Sequence, residues 1–238
     1  MAAPGWLSRC LADVPAGDDW LAGEERQTHE TLRFEPRRRD WRLGRWTAKV
    51  AVGTWLGVAA ERVQILAAAD GAPEAYLDGH ATGLSVSLSH RAGRSLAAVA
   101  AAPIVVGCDL ELVEPRSAAF VREWLTPGEQ ALLASCAEGE HARFANLAWA
   151  AKEAAAKVRR SGMRLDLRHA AVTPALDEPR EGGWRALLVR WEEGAGATAG
   201  WWREDSGFMM AIAGEPAPEP PCQLDNGSSP DRESAAGS

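Results

Sequence analysis

From His141 to Arg160 the chain runs twenty residues without a glycine or a proline, and eight of them are alanine. Helix propensity is high over the whole stretch, and Gly162 marks its stop, so it reads as one long helix. Thr126-Pro127-Gly128-Glu129 announces another: Thr126 as N-cap, Pro127 in the first turn, Glu129 able to reach back to the cap N–H. Asp40 to Leu56 reads as a third, closing near Gly57. Elsewhere the period changes. Val86 and Leu88 alternate with Ser85, Ser87 and Ser89, a half-buried strand ending at His90, and Gly93 turns the chain into the apolar run Ser95 to Ala102, a hairpin. Ile104 to Val113 is strand-like between Pro103 and Pro115, while Trp184 to Trp191 and Trp201 to Ile212 form an expected closing pair around a Gly-rich turn. The order helix, strands, helix, helix, strands implies an α+β fold with antiparallel sheets and helices packed on them. There is no repeat of 20–50 residues, which leaves room for two similar halves joined near residues 103 to 116.

Charge and cysteine content narrow the function. The net charge is −7, against non-specific nucleic-acid binding, yet −4 of it lies between Glu215 and Ser238. That Pro, Gly, Ser and Asp-rich stretch, with few large apolar residues, is expected to be a disordered tail at 215–238. In the remainder, Arg33, Arg37, Arg38, Arg39, Arg42, Arg45 and Lys49 face only Glu35 and Asp40 in one short window, a patch suited to an anionic ligand. Cys10, Cys108, Cys136 and Cys222 show neither zinc-ligand nor disulfide spacing, and no apolar run is long enough to span a bilayer. A reduced, cytoplasmic, soluble protein is expected, with no nucleic acid and no membrane as partner.

Of 26 basic residues 23 are arginine; the lysines are Lys49, Lys152 and Lys157. In Trp149-Ala150-Ala151-Lys152-Glu153-Ala154-Ala155-Ala156-Lys157, helical geometry places Trp149, Glu153 and Lys157 on one stripe with Lys152 on the flank. A solvated Glu153–Lys157 pair would account for the spacing, but not for two lysines five residues apart in a chain that uses arginine elsewhere. Lysine is a compact ammonium that can release a proton or make a point contact to phosphate. In Gly107-Cys108-Asp109-Leu110-Glu111, strand geometry puts Asp109 and Glu111 on one face, where paired carboxylates repel unless a cation relieves them; Mg²⁺ is one such cation, and solvated charges at a strand end are the plainer alternative. Ser85 to His90 gathers hydroxyls and an imidazole at a strand end, groups able to hold phosphate oxygens.

Together these pieces resemble the larger, single-chain class of 4′-phosphopantetheinyl transferases. The likeness is carried by Arg37-Arg38-Arg39 with Gly44-Arg45 and Lys49, then Ser87-Leu88-Ser89-His90, Gly107 to Glu111, and Trp149 to Lys157. It implies a pseudo-two-fold pair of α+β halves, here 1–103 with a basic coenzyme-binding region and 104–214 with a metal site and catalytic helix, in a monomeric chain. It also implies transfer of the phosphopantetheine arm of coenzyme A to a serine of an acyl or peptidyl carrier protein. Carried over, Asp109, Glu111 and Glu153 hold Mg²⁺, Glu153 and Lys157 are catalytic, and Arg37, Arg38, Arg45, Lys49, Ser89, His90, Lys152 and Lys157 contact the coenzyme. The family's Gly-Lys-Pro is Gly71-Ala72-Pro73 here, with Arg91 or Arg94 as the expected replacement cation. The alternatives are a non-catalytic coenzyme or carrier binding module of the same fold, and another Mg²⁺-dependent phosphodiester-cleaving enzyme.

Overall fold

The computed structural model describes residues 3–160, 166–176, 178–191 and 196–224. In chain order these form β1 (Gly5–Cys10), α1 (Gly23–Thr31), α2 (Glu35–Leu56), β2 (Val63–Ala67), β3 (Pro73–Leu77), β4 (His80–Arg91), β5 (Arg94–Ala100) and β6 (Val105–Leu112), then α3 (Ala118–Trp124), α4 (Pro127–Ser135), α5 (His141–Val158), β7 (Ala171–Pro174), β8 (Arg185–Arg190), β9 (Ala197–Asp205), β10 (Phe208–Glu215) and β11 (Cys222–Gln223). One sheet runs β11-β1-β5-β4-β3-β2 and the other β6-β10-β9-β8-β7. Apart from β11, each strand of the first sheet has its counterpart five strands later in the second. The two halves therefore share one topology.

Four layers result. The apolar face of α2, through Ala48, Ala51, Val52 and Trp55, packs on Leu7, Val86, Ala97 and Val99 of the first sheet. The opposite face of that sheet, with Trp6, Leu96 and Ala98, meets Val106, Cys108, Leu110 and Ile212 of the second. The second sheet's outer face, with Val189, Trp202 and Ala211, is covered by the alanines of α5. Helices thus lie outside and the two sheets share the central core, the arrangement that lets each element bury one apolar face.

The long helices form where sequence put them, but α2 begins at Glu35 and not at the expected Asp40, because Pro36 is accommodated in its first turn; it ends at Gly57, whose φ of +69° supplies the left-handed cap. At α4 the Thr126–Glu129 capping box forms in both directions. Two other expectations change. The run Trp201 to Ile212 is two strands, broken at Ser206 and Gly207, which take positive φ in a tight turn; residues 192–195 of the expected Gly-rich turn lie outside the described residues. And the tail does not begin at Glu215. Trp201 Nε1 donates to Pro218 O at 3.1 Å, Cys222 and Gln223 pair in parallel with Gly5 and Trp6, and Leu224 is buried against α2 and β1. A few apolar side chains and an open strand edge order this segment despite its composition. Residues 225–238 lie outside the described residues. Among the described residues no helix is long and apolar enough to cross a membrane.

Candidate active site

The site forms where the first half's β4 meets the second half's β6. The outer edge of β6 is stitched to β4 by serine hydroxyls: Val106 N donates to Ser85 Oγ and Cys108 N to Ser87 Oγ, both at 2.9 Å. These bonds satisfy edge amides that a neighbouring strand would otherwise take. They also show why the serines alternate. Ser89, the third of the series, donates to Asp109 Oδ1 at 2.8 Å.

Asp109 is the hub. Lys157 Nζ donates to its Oδ1 at 2.8 Å and to Cys108 O at 2.9 Å. Asp109 Oδ2 is buried without a hydrogen-bond partner. Burial depresses the Lys157 ammonium, but the charges of Asp109 and Cys108 and the bond to Asp109 outweigh it, and its pKa is raised. The same seclusion pushes the Cys108 thiol up to about 11 and leaves it unreactive. β6 can approach α5 this closely because residue 107 is glycine, for a Cβ there would stand 2.1 Å from Ala154 O.

Glu111 projects from the face of Asp109, as alternation requires. Arg116 Nη2 donates to its Oε2 at 2.7 Å, and Arg116 Nε is held by Asn146 Oδ1 at 2.7 Å. Burial raises the Glu111 pKa, Asp109 raises it further, and Arg116 opposes both. Glu153 is raised by burial first and by the Asp109 charge next, with Lys157 opposing. An orphaned Asp109 oxygen beside two carboxyls that resist ionisation is a donor set that a hard divalent cation would satisfy. The three acids are not a finished cage, however. Among the described residues no three His, Cys, Asp or Glu side chains already form a metal-holding group; Arg116 engages Glu111 and Lys157 engages Asp109.

A cleft of about 1160 Å³ opens beside this cluster, lined by Arg45, Pro73 and Tyr76 of the first half and by Trp149, Glu153 and Lys157 of the second. The expected stripe on α5 therefore faces one space. Trp149 is fixed edge-on against Phe120 and Trp124, at ring distances of 5.4 and 5.1 Å.

Lys49 and Lys152 do not join it. Both side chains are 0% exposed. Lys49 Nζ donates to Glu25 Oε2 at 2.7 Å; Glu25 also accepts from Ala22 N and Ile65 N, at 2.9 Å each. Lys152 Nζ donates to Glu129 Oε2 at 2.7 Å and to Trp124 O at 2.6 Å, and Glu129 accepts from Thr126 N and Val172 N. In each half the same device ties the cap of a short helix, the long helix and the outermost strand together. These two lysines leave the coenzyme set, since each already spends its charge on a buried carboxylate. Burial lowers both ammonium pKa values, with the glutamate opposing.

The remaining expected residues are spread out. Arg45 lies over the Trp41 ring at 4.7 Å and donates to Ile65 O. Arg37 is exposed near the start of α2, and Arg38 Nε donates to His29 Nε2 at 3.4 Å. His90 is exposed on the α2 side of β4 beside Gly44, so it and Ser89 project from opposite faces. Neither expected replacement cation serves the Gly71-Ala72-Pro73 turn. Arg91 pairs with Glu114, Arg94 with Asp205. Arg116, Asn146 and Arg160, which sequence reasoning passed over, carried no local signal, because their partners lie 5 to 90 residues away.

Residues 105–193 match the model of the 4′-phosphopantetheinyl transferase superfamily. The chain is similar to that superfamily over this span. The matched span opens on β6 and takes in Asp109, Glu111, Glu153 and Lys157, the whole acid-and-lysine cluster of the second half. No curated protein matches the chain.

Proposed function

We propose that this chain is a phosphopantetheinyl transferase of the larger single-chain type, moving the phosphopantetheine arm of coenzyme A to a serine of an acyl or peptidyl carrier protein. The observation that carries the reading is the Asp109–Lys157–Glu153 cluster at the wall of a cleft between two topologically equivalent halves. Phosphoryl transfer asks a protein for positioning and charge neutralisation more than for covalent help.

Asp109, Glu111 and Glu153 would hold Mg²⁺, which when bound supplies positive charge at the pyrophosphate. Glu153, kept above the usual carboxylate range by burial and Asp109, is suited to take the proton of the carrier serine. Lys157, anchored on Asp109 and Cys108 O and one helical turn from Glu153, presents a positive charge to the departing adenosine 3′,5′-bisphosphate. Arg45 offers a guanidinium from the opposite wall. Ser89 acts through Asp109, whose oxygen it holds.

The test is incubation with coenzyme A, Mg²⁺ and an apo carrier protein, followed by mass spectrometry of the carrier. Gain of the phosphopantetheine mass is the expected result. Release of bisphosphate with an unmodified carrier would replace transfer by hydrolysis, and coenzyme binding without product would leave only a binding module.

A further inference from the structure

The cleft is bridged at its mouth. Arg160 follows α5 with φ of +47°, its amide donating to Lys157 O at 3.2 Å. Its Nε and Nη2 donate to Asp70 Oδ2 and Oδ1 at 2.9 and 3.0 Å, and Nη2 lies 3.6 Å from Glu74 Oε1. Asp70 belongs to the turn between β2 and β3, so this fork joins the second half to the first across the opening. Both side chains are well exposed, 43% and 39%. An exposed pair contributes little to stability, and a stronger anion can take the guanidinium at small cost.

The other described cations on the wall are placed differently. Lys157 holds Asp109 behind the wall, Arg45 donates to the backbone of β2, and Arg168 is paired with Asp166 in its own turn. Arg160 alone of these four has its carboxylate partner on the facing wall. A phosphate presents the same two-oxygen face as a carboxylate with more charge, and a bidentate guanidinium suits it better than it suits a solvated aspartate.

We propose that Arg160 is a phosphate-binding residue whose place is kept by Asp70 until the coenzyme enters. A coenzyme phosphate then takes the guanidinium and Asp70 returns to solvent. This rests on the coenzyme A reading above and adds a residue and a competitor to it. It predicts effects of opposite sign from the two partners of one ion pair.

Isothermal titration with coenzyme A and Mg²⁺ tests it, using Arg160→Gln, Asp70→Asn and the double variant. Asn retains the acceptor for Ala72 N, which bonds Asp70 Oδ1 at 3.1 Å, while removing the charge. Thermal melts check that each variant is folded. Arg160→Gln should weaken binding about tenfold. Asp70→Asn should tighten it several-fold, and should change nothing when Arg160 is already Gln. If both single variants weaken binding alike, the pair is only a strap between halves and the proposal is overturned; unchanged binding in both overturns it too. Absence of binding by the unmodified protein would sink the coenzyme reading itself, and this inference with it.

Discussion

Lys49 and Lys152 occupy matching places because a compact ammonium fits where a guanidinium does not, at the end of a buried carboxylate already accepting two backbone amides. Removing one partner leaves a charge in the interior, so Lys152→Ala should cost about 3–5 kcal/mol in urea unfolding, and Lys49→Ala the same. Replacing Lys152 by Met and Glu129 by Gln together, which removes both charges and keeps an acceptor for the Val172 amide, should recover part of that loss, the outcome that separates ion pairing from simple packing. Lys157 has another employment, and it should be read out by transfer. Lys157→Arg should lower turnover by about tenfold or more, because a planar fork cannot reproduce the point contacts to Asp109 and Cys108 O. Glu153→Gln should reduce it by about 10²-fold or more with the fold intact; near-normal turnover would remove Glu153 as the base. The scarcity of lysine in the sequence singled out three residues that matter. It did not separate them by role, since Glu25 and Glu129 lie 24 and 23 residues from their lysines and nothing in local spacing connects them.

At the scale of elements, the seam between β4 and β6 is made by side chains rather than by a ladder. Ser87→Ala would bury the Cys108 amide without an acceptor, an expected loss of about 1–3 kcal/mol in thermal or chemical unfolding. Gly107→Ala tests the packing behind it: with Ala154 O only 2.1 Å from the new Cβ, β6 and α5 must separate. Coenzyme affinity and turnover should then fall together with stability, whereas Ser87→Ala should act mainly on stability. The alternation of Ser85, Ser87 and Ser89 made β4 legible as a strand, and the period of Asp109 and Glu111 made their common face legible too. The object that the serines bond was not, because an unpaired edge across the seam is a property of the sheets and not of either strand. The ordered segment at 216–224 was missed for a similar reason: composition describes what a segment can bury alone, and this one is ordered by the open edge of β1.

At the scale of the whole molecule, two halves of one topology have been given unequal chemistry. Gly5 opens β1 and Gly107 lies third in the equivalent strand β6, yet two residues on from each glycine the first half has buried Leu7 where the second has Asp109. The acids therefore gather on one side only, and the first half contributes β4 and the facing wall. Such a site depends on the halves staying in register, and one contact that keeps them so is titratable. Arg94 of β5 donates through Nε to Ser8 Oγ at 2.9 Å and through Nη1 to Asp205 O at 3.1 Å, and its Nη2 pairs with the carboxylate of Asp205, the last residue of β9 before the turn into β10. The bond from Arg94 holds the Asp205 carboxyl below its ordinary value against the opposing effect of burial, with Arg203 adding to the depression. A carboxylate whose folded pKa is depressed adds stability above its unfolded pKa of about 4 and loses it as pH falls through the folded value. Asp205→Asn should thus be less stable than the unmodified protein at pH 7, and the gap should close as unfolding is measured at successively lower pH below about 4. Arg94→Lys, which keeps the charge and loses the fork, should retain that pH dependence with a smaller gap. A gap that stays constant from pH 7 to pH 3 would show that Asp205 serves the turn alone and that the halves are held together by their shared core.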